Sequence, residues 1–150
     1  MATTIIDIAT LDGTDGFTMT GLLNGDALGA SVSGLGDIFG DGLDDFIVGA
    51  RYADPGGVNS ASEAYVVFGQ AGGFAASFSL GDLDGTDGFQ IEGIDSYDAI
   101  GSAVSAAGDF NGDGVNDILL GARGGDAGAN FNNGQTFICP SSEHLAQLAA

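Results

Sequence analysis

Apolar residues fall in short runs separated by Gly, Asp, Asn and Ser, and no long segment carries a helical period. Phe17 to Gly21 and Phe89 to Gly93 alternate apolar and polar side chains, as a half-buried strand does. Ile5 to Ile8 and Ser77 to Leu80 are shorter strand-like runs that precede them. Leu28 to Ser33 and Ile100 to Ser105 come next. An acidic turn then leads into Phe46-Ile47-Val48 and into Ile118-Leu119-Leu120. These triplets lack alternation, which predicts strands buried on both faces. Ala64 to Phe68 predicts a further strand, whose counterpart begins at Thr136-Phe137-Ile138. Gly recurs too often for helices, at about 1 kcal/mol per interior site relative to Ala.

The pairing of these runs reflects an internal repeat. Leu11 to Phe17 (LDGTDGF) returns unchanged as Leu83 to Phe89, 72 positions on. The same offset relates Gly21 to Gly93, Asp26 to Asp98 and Gly29 to Gly101. It also relates Asp37, Asp41 and Asp45 to Asp109, Asp113 and Asp117, and Gly49-Ala50-Arg51 to Gly121-Ala122-Arg123. Each unit supplies four main strands and a short fifth, too few to bury its own apolar face, so units must stack. Four strands per repeat set around an axis make a β-propeller blade. The expectation is an all-β chain of two four-stranded antiparallel blades. The first spans 1–73, the second 74–139, and a tail of 140–150 lies outside the repeat. Pro140 has no N–H for a ladder and should end the last strand. Ser141 to Ala150 predicts a short helix with Pro140 near its start.

Between the third and fourth paired runs lie Asp109 to Asp117 (DFNGDGVND) and a degraded copy, Asp37 to Asp45 (DIFGDGLDD). In the former, Asp109, Asn111, Asp113 and Asp117 carry oxygen side chains, with Gly112 and Gly114 between them. Carboxylates held this close repel one another by about 1 kcal/mol per pair at 4 Å in water, and more at lower dielectric. Full solvation or a cation relieves that. Hard oxygen donors with Gly at the bend suit Ca²⁺ better than Mg²⁺. An EF-hand would need a bidentate Glu at loop position 12, where Leu120 stands, and a following helix; a dockerin-like module fails on the helix too. The plain alternative is an Asp/Asn/Gly turn without metal. Asp12 to Gly16 and Asp84 to Gly88 offer two carboxylates each, and turn chemistry accounts for them better than a second cation does.

Composition narrows the function. With 21 acidic against 2 basic residues, the formal charge is −19, so nucleic acid and anionic membranes are improbable partners. The 28 glycines follow no Gly-X-Y period. A single cysteine, Cys139, excludes an internal disulfide and lacks a basic neighbour to activate it. His144 is the only histidine, so neither a triad nor a zinc cluster is available. The chain is expected to be non-catalytic. Arg51 and Arg123 are expected to neutralise loop carboxylates. No segment approaches the roughly 18 apolar residues of a membrane span, and the N-terminus has no basic region of a Sec-type signal peptide.

LGASVSGLGDIFGDGLDDFIVGAR and IGSAVSAAGDFNGDGVNDILLGAR resemble FG-GAP repeats, the blade sequence of the integrin α-subunit propeller and of many bacterial secreted proteins. The resemblance runs from about residue 4 to about residue 139. Leu28-Gly29 and Ile100-Gly101 stand where the family has Phe-Gly. Gly49-Ala50-Arg51 and Gly121-Ala122-Arg123 stand where it has Gly-Ala-Pro. The resemblance implies Ca²⁺ ligands at Asp109, Asn111, Asp113, the Val115 carbonyl and Asp117. In the first loop it implies Asp37, Asp41, the Leu43 carbonyl and Asp45. Phe39 replaces the Asn there, so weaker binding is expected. The family implies a calcium-binding module for extracellular recognition or adhesion, with a protein or carbohydrate ligand at a cell surface or matrix. The alternatives are accessory blades of a larger secreted enzyme, such as a phospholipase or hydrolase, or a fragment without activity of its own. Propellers close with 4 to 8 blades, so further blades or a homo-oligomer are expected to complete the ring. MATTIIDIATLDGTDGF resembles the start of large bacterial FG-GAP proteins exported in one step by a C-terminal signal, which implies secretion without an N-terminal signal peptide.

Overall fold

The computed structural model describes residues 7–93, 95–125 and 133–141. Its strands are β1 (Thr18–Thr20), β2 (Leu28–Gly36), β3 (Asp45–Ala50), β4 (Glu63–Val67), β5 (Ser77–Ser79), β6 (Gly88–Glu92), β7 (Ile100–Gly108), β8 (Asp117–Ala122) and β9 (Gln135–Cys139). They form a four-stranded sheet ordered β2-β3-β4-β6, a three-stranded sheet β7-β8-β9 and a ribbon β1-β5. Pairing in the two larger sheets is antiparallel, and the ribbon is parallel. The chain is all-β and consistent with FG-GAP-type blades of an incomplete propeller.

The strand count differs from expectation in one way. The first sheet completes itself with β6, which belongs to the second sequence repeat. β6 sets Phe89 opposite Val66 and Ile91 opposite Ala64, so both aromatic and aliphatic side chains reach the core. Its counterpart β1 pairs instead with β5. The 1–73 repeat and the sheet built over 28–92 are therefore out of phase. The second sheet has three strands among the described residues. Of the run Ile5 to Ile8, the first two residues lie outside the described residues, and Ile8 opens a 3-10 turn capped by Asp7. β9 ends at Cys139, before Pro140. The expected helix over Ser141 to Ala150 lies outside the described residues beyond Ser141, as does His144.

Packing explains the first unalternating triplet and corrects the second: Phe46-Ile47-Val48 is covered on both faces, whereas of Ile118-Leu119-Leu120 only the Ile118 and Leu120 face is covered among the described residues. β4 buries five consecutive residues, because the first sheet is covered on both sides. On one side Leu35, Ile38, Ile47, Ala64, Val66 and Phe68 meet Ile118 and Leu120 of the second sheet, with Val104, Ala106 and Cys139 alongside. On the other side Ala50, Tyr65 and Val67 are covered by Leu80, Phe74 and Phe78. Phe17 stacks on Phe74 there, with ring centroids 4.2 Å apart. Full burial of one such aliphatic or aromatic side chain contributes about 1.5–3 kcal/mol.

The stack has a direction. Ile47 packs between the sheets, whereas its repeat partner Leu119 shares the outer face of the second sheet with Ile138, which is 41% exposed. Unlike faces thus meet, the head-to-tail arrangement that rotation about an axis generates. Two side-chain hydrogen bonds tie the sheets: Ser31 Oγ donates to the Gly101 carbonyl at 2.6 Å, and Asn116 Nδ2 to the Leu35 carbonyl at 2.8 Å. A Cβ added at Gly49 would lie 2.1 Å from the Gly101 carbonyl oxygen, so β3 and β7 approach as closely as glycine permits.

Candidate metal centre

Both acidic segments lie in the β2–β3 and β7–β8 hairpins. Each begins after a ladder irregularity and a left-handed glycine, Gly36 at φ 71° and Gly108 at φ 70°. The chain then wraps around its first aspartate. Asp37 accepts the amides of Gly40, Asp41 and Gly42 at 2.6, 3.1 and 2.9 Å. Asp109 accepts those of Gly112, Asp113 and Gly114 at 2.7, 2.9 and 2.9 Å. Asp41 and Asp113 each accept an amide two residues on, from Leu43 and Val115, both at 2.9 Å.

The last aspartate of each loop is buried and anchors it. Asp45 is 2% exposed and Asp117 is 0% exposed. Asp45 accepts from Ile38 and Phe39 through one oxygen and from Gly69 through the other. Asp117 accepts from Phe110 and Asn111, and from Ser141 at 3.3 Å. Burial pushes the Asp45 carboxyl above its ordinary range, against the pull of its three amide donors. Leaving such a carboxylate without those donors would cost several kcal/mol.

Asn111 and Phe39 make the loops differ. Asn111 Oδ1 accepts the Asp113 amide at 2.9 Å, and Nδ2 donates to Asp113 Oδ2 at 2.8 Å. The Phe39 ring leaves its loop and stacks on Phe68, with centroids 4.5 Å apart. The first loop therefore presents one oxygen side chain fewer.

The donor set is all oxygen, which suits a hard cation and not a thiolate- or imidazole-seeking metal. The structure brings Asp109, Asn111, Asp113, Val115 and Asp117 into one tight loop, and Asp37, Asp41, Leu43 and Asp45 into another. Among the described residues no three acidic, His or Cys side chains converge as a ready-made cage; the carboxylates are turned to their own amides. Neither loop continues into a helix, which removes the EF-hand and dockerin geometries: β3 and β8 follow directly.

The Asp-Gly-Thr-Asp-Gly segments are self-contained turns. Asp12 accepts the amide and hydroxyl of Thr14 at 2.9 and 2.6 Å, and Asp84 does the same with Thr86 at 2.9 and 2.6 Å. The Thr14 and Thr86 hydroxyls hold both carboxyls below their ordinary range. Asp26 and Asp98 likewise cap local turns, accepting from Leu23 and Asp95. Cys139 is packed into the inter-sheet core, and burial pushes its thiol up.

Arg51 and Arg123 correct an expectation. They follow β3 and β8, whereas the acidic loops precede those strands. Six residues at about 3.3 Å each put roughly 20 Å between loop and arginine, too far for neutralisation. Composition concealed a second feature, a buried acid at Glu63. Tyr65 donates its hydroxyl to Glu63 Oε2, and burial pushes both groups up. Its only sequence signal was the exchange of Glu63 for Gln135 between repeats.

With the geometry established, comparison with known families finds that residues 100–138 match the model described as FG-GAP repeat. The match covers β7, the second acidic loop, β8 and most of β9.

Proposed function

From the FG-GAP repeat match over residues 100–138 and its copy 72 positions earlier, we propose that this chain is a calcium-stabilised propeller module for extracellular recognition or adhesion, with the ion structural and the module non-catalytic. The supporting observation is the duplicated hairpin. Two loops 72 positions apart close on Asp37 and Asp109 through the same amides and are fixed to the core by Asp45 and Asp117. Calcium bound there would offset the mutual repulsion of the loop aspartates and hold the hairpin turn. The side chains of Asp109, Asn111, Asp113 and Asp117 would hold one ion with the Val115 carbonyl, and Asp37, Asp41 and Asp45 the other with the Leu43 carbonyl.

Thermal and urea unfolding in EDTA and in excess Ca²⁺ test the reading. At 100 times Kd each occupied site adds about 2.7 kcal/mol. Equal stability in the two buffers would refute a structural calcium. The extracellular role is tested separately, by fractionating cells that make the protein; its retention inside washed cells would sink that part.

A further inference from the structure

The chain has only two basic side chains, and the fold sends both to the same place. Two adjoining clefts, of about 640 and 450 Å³, are each lined by Arg51 and Arg123. Among the described residues neither guanidinium forms an ion pair, although 21 acidic residues are available. Arg51 Nε is buried with no hydrogen-bond partner, which leaves a charged donor unsatisfied. Nearby carboxylates are engaged elsewhere: Asp26 caps Leu23, and Asp54 accepts the Ser60 amide at 2.6 Å.

The surroundings are those of a ligand seat. Tyr52 and Tyr97 line the smaller cleft and are 48% and 63% exposed. The Arg51 guanidinium lies 4.5 Å from the Tyr52 ring centroid, which holds it in a fixed plane. Five non-glycine residues have left-handed backbone among the described residues. Three of them, Ser60, Tyr97 and Ala99, line this cleft. Strained backbone gathers where surrounding structure over-determines a functional shape.

We propose that the paired clefts bind an acidic saccharide, with its carboxylate seated between Arg51 and Arg123 and its ring against Tyr52 and Tyr97. Guanidinium forks match carboxylate geometry, and exposed tyrosine faces suit the apolar side of a sugar ring. The site lies at the opposite ends of β3 and β8 from the acidic loops and does not depend on the calcium reading.

The chain has no Trp, and Tyr65, its remaining tyrosine, is buried, so tyrosine fluorescence reports on this cleft. The test is a fluorescence and calorimetric titration of the full chain with galacturonate at low ionic strength, repeated without added calcium to exclude a calcium–uronate complex. Saturable binding is expected, weakened tenfold or more by Arg123→Gln, only partly by Arg123→Lys, and competed by sulfate. Galactose should bind far more weakly. Three results would overturn the proposal: no saturation by about 10 mM galacturonate, equal binding of galactose, or unchanged affinity in a folded Arg123→Gln protein. If Arg51→Gln fails to fold, Arg123→Gln still decides.

Discussion

Ile38 and Phe110 occupy the same position in two copies of one hairpin, yet Ile38 is 1% exposed and Phe110 is 70% exposed. The backbones around them share their hydrogen bonds almost one for one. The difference lies in what stands beside each hairpin. The first sheet is covered by the second, so Ile38 joins Leu35 and Ile47 between them. Among the described residues nothing covers the outer side of the second sheet. Val66, 0% exposed, and its repeat partner Ile138, 41% exposed, repeat the contrast. Local structure in this chain follows from local sequence, whereas energetic weight follows from position in the stack.

Equivalent substitutions should therefore have unequal effects. The largest contrast is expected at the close approach of strands. Gly49→Ala drives a methyl against the Gly101 carbonyl and should destabilise by about 3 kcal/mol. At Gly121 the nearest atom to an added Cβ is the Ala103 Cβ at 3.4 Å, so Gly121→Ala should cost under about 1 kcal/mol. Urea denaturation of the two variants measures both, and equal losses would break the comparison. Ile38→Ala should cost about 2–3 kcal/mol through lost burial and a cavity. Phe110→Ala should stay within about 0.5 kcal/mol.

A smaller effect is expected from the buried acid. The Glu63 carboxyl is raised in the folded state, chiefly by burial. Its contribution is thus fully present below the unfolded pKa of about 4.3 and is lost as pH rises through the folded value. Relative to Glu63→Gln, wild type should lose melting temperature between pH 4 and pH 7. Parallel pH profiles would contradict that assignment. The smallest effect concerns the metal loops. Phe39→Asn restores the missing oxygen and should tighten calcium at the first loop by about tenfold, read by calorimetry. Unchanged affinity would mean that ligand count does not distinguish the loops.

The repeat made much of this legible. The 72-residue offset located the strand pairs β1 and β6, β2 and β7, β3 and β8, and β4 and β9, though not a partner for β5, and the unalternating Phe46-Ile47-Val48 correctly signalled burial on two faces. The hairpin position of the acidic loops was legible too, because Gly36 and Gly108 close strands just before an aspartate. The phase between repeat and sheet was not, since β6 reads as a half-buried strand wherever it pairs. The cap of Phe17, Phe74 and Phe78 was equally hidden, because periodicity does not say which distant segment covers a face. The arginines were misassigned for a related reason. Closeness in sequence to Asp45 and Asp117 suggested pairing, but a strand of rigid length lies between.

The contact of β3 against β7 has a consequence for shape. Where two sheets touch backbone to backbone, the tightest point acts as a pivot and sets the angle between them. Any larger array built on the same interface repeats that angle at every step, so its curvature is inherited from one glycine. An error of a few degrees there would not stay local. It would add at each interface, and a ring that closes with the native spacing would open into a spiral with a wider one.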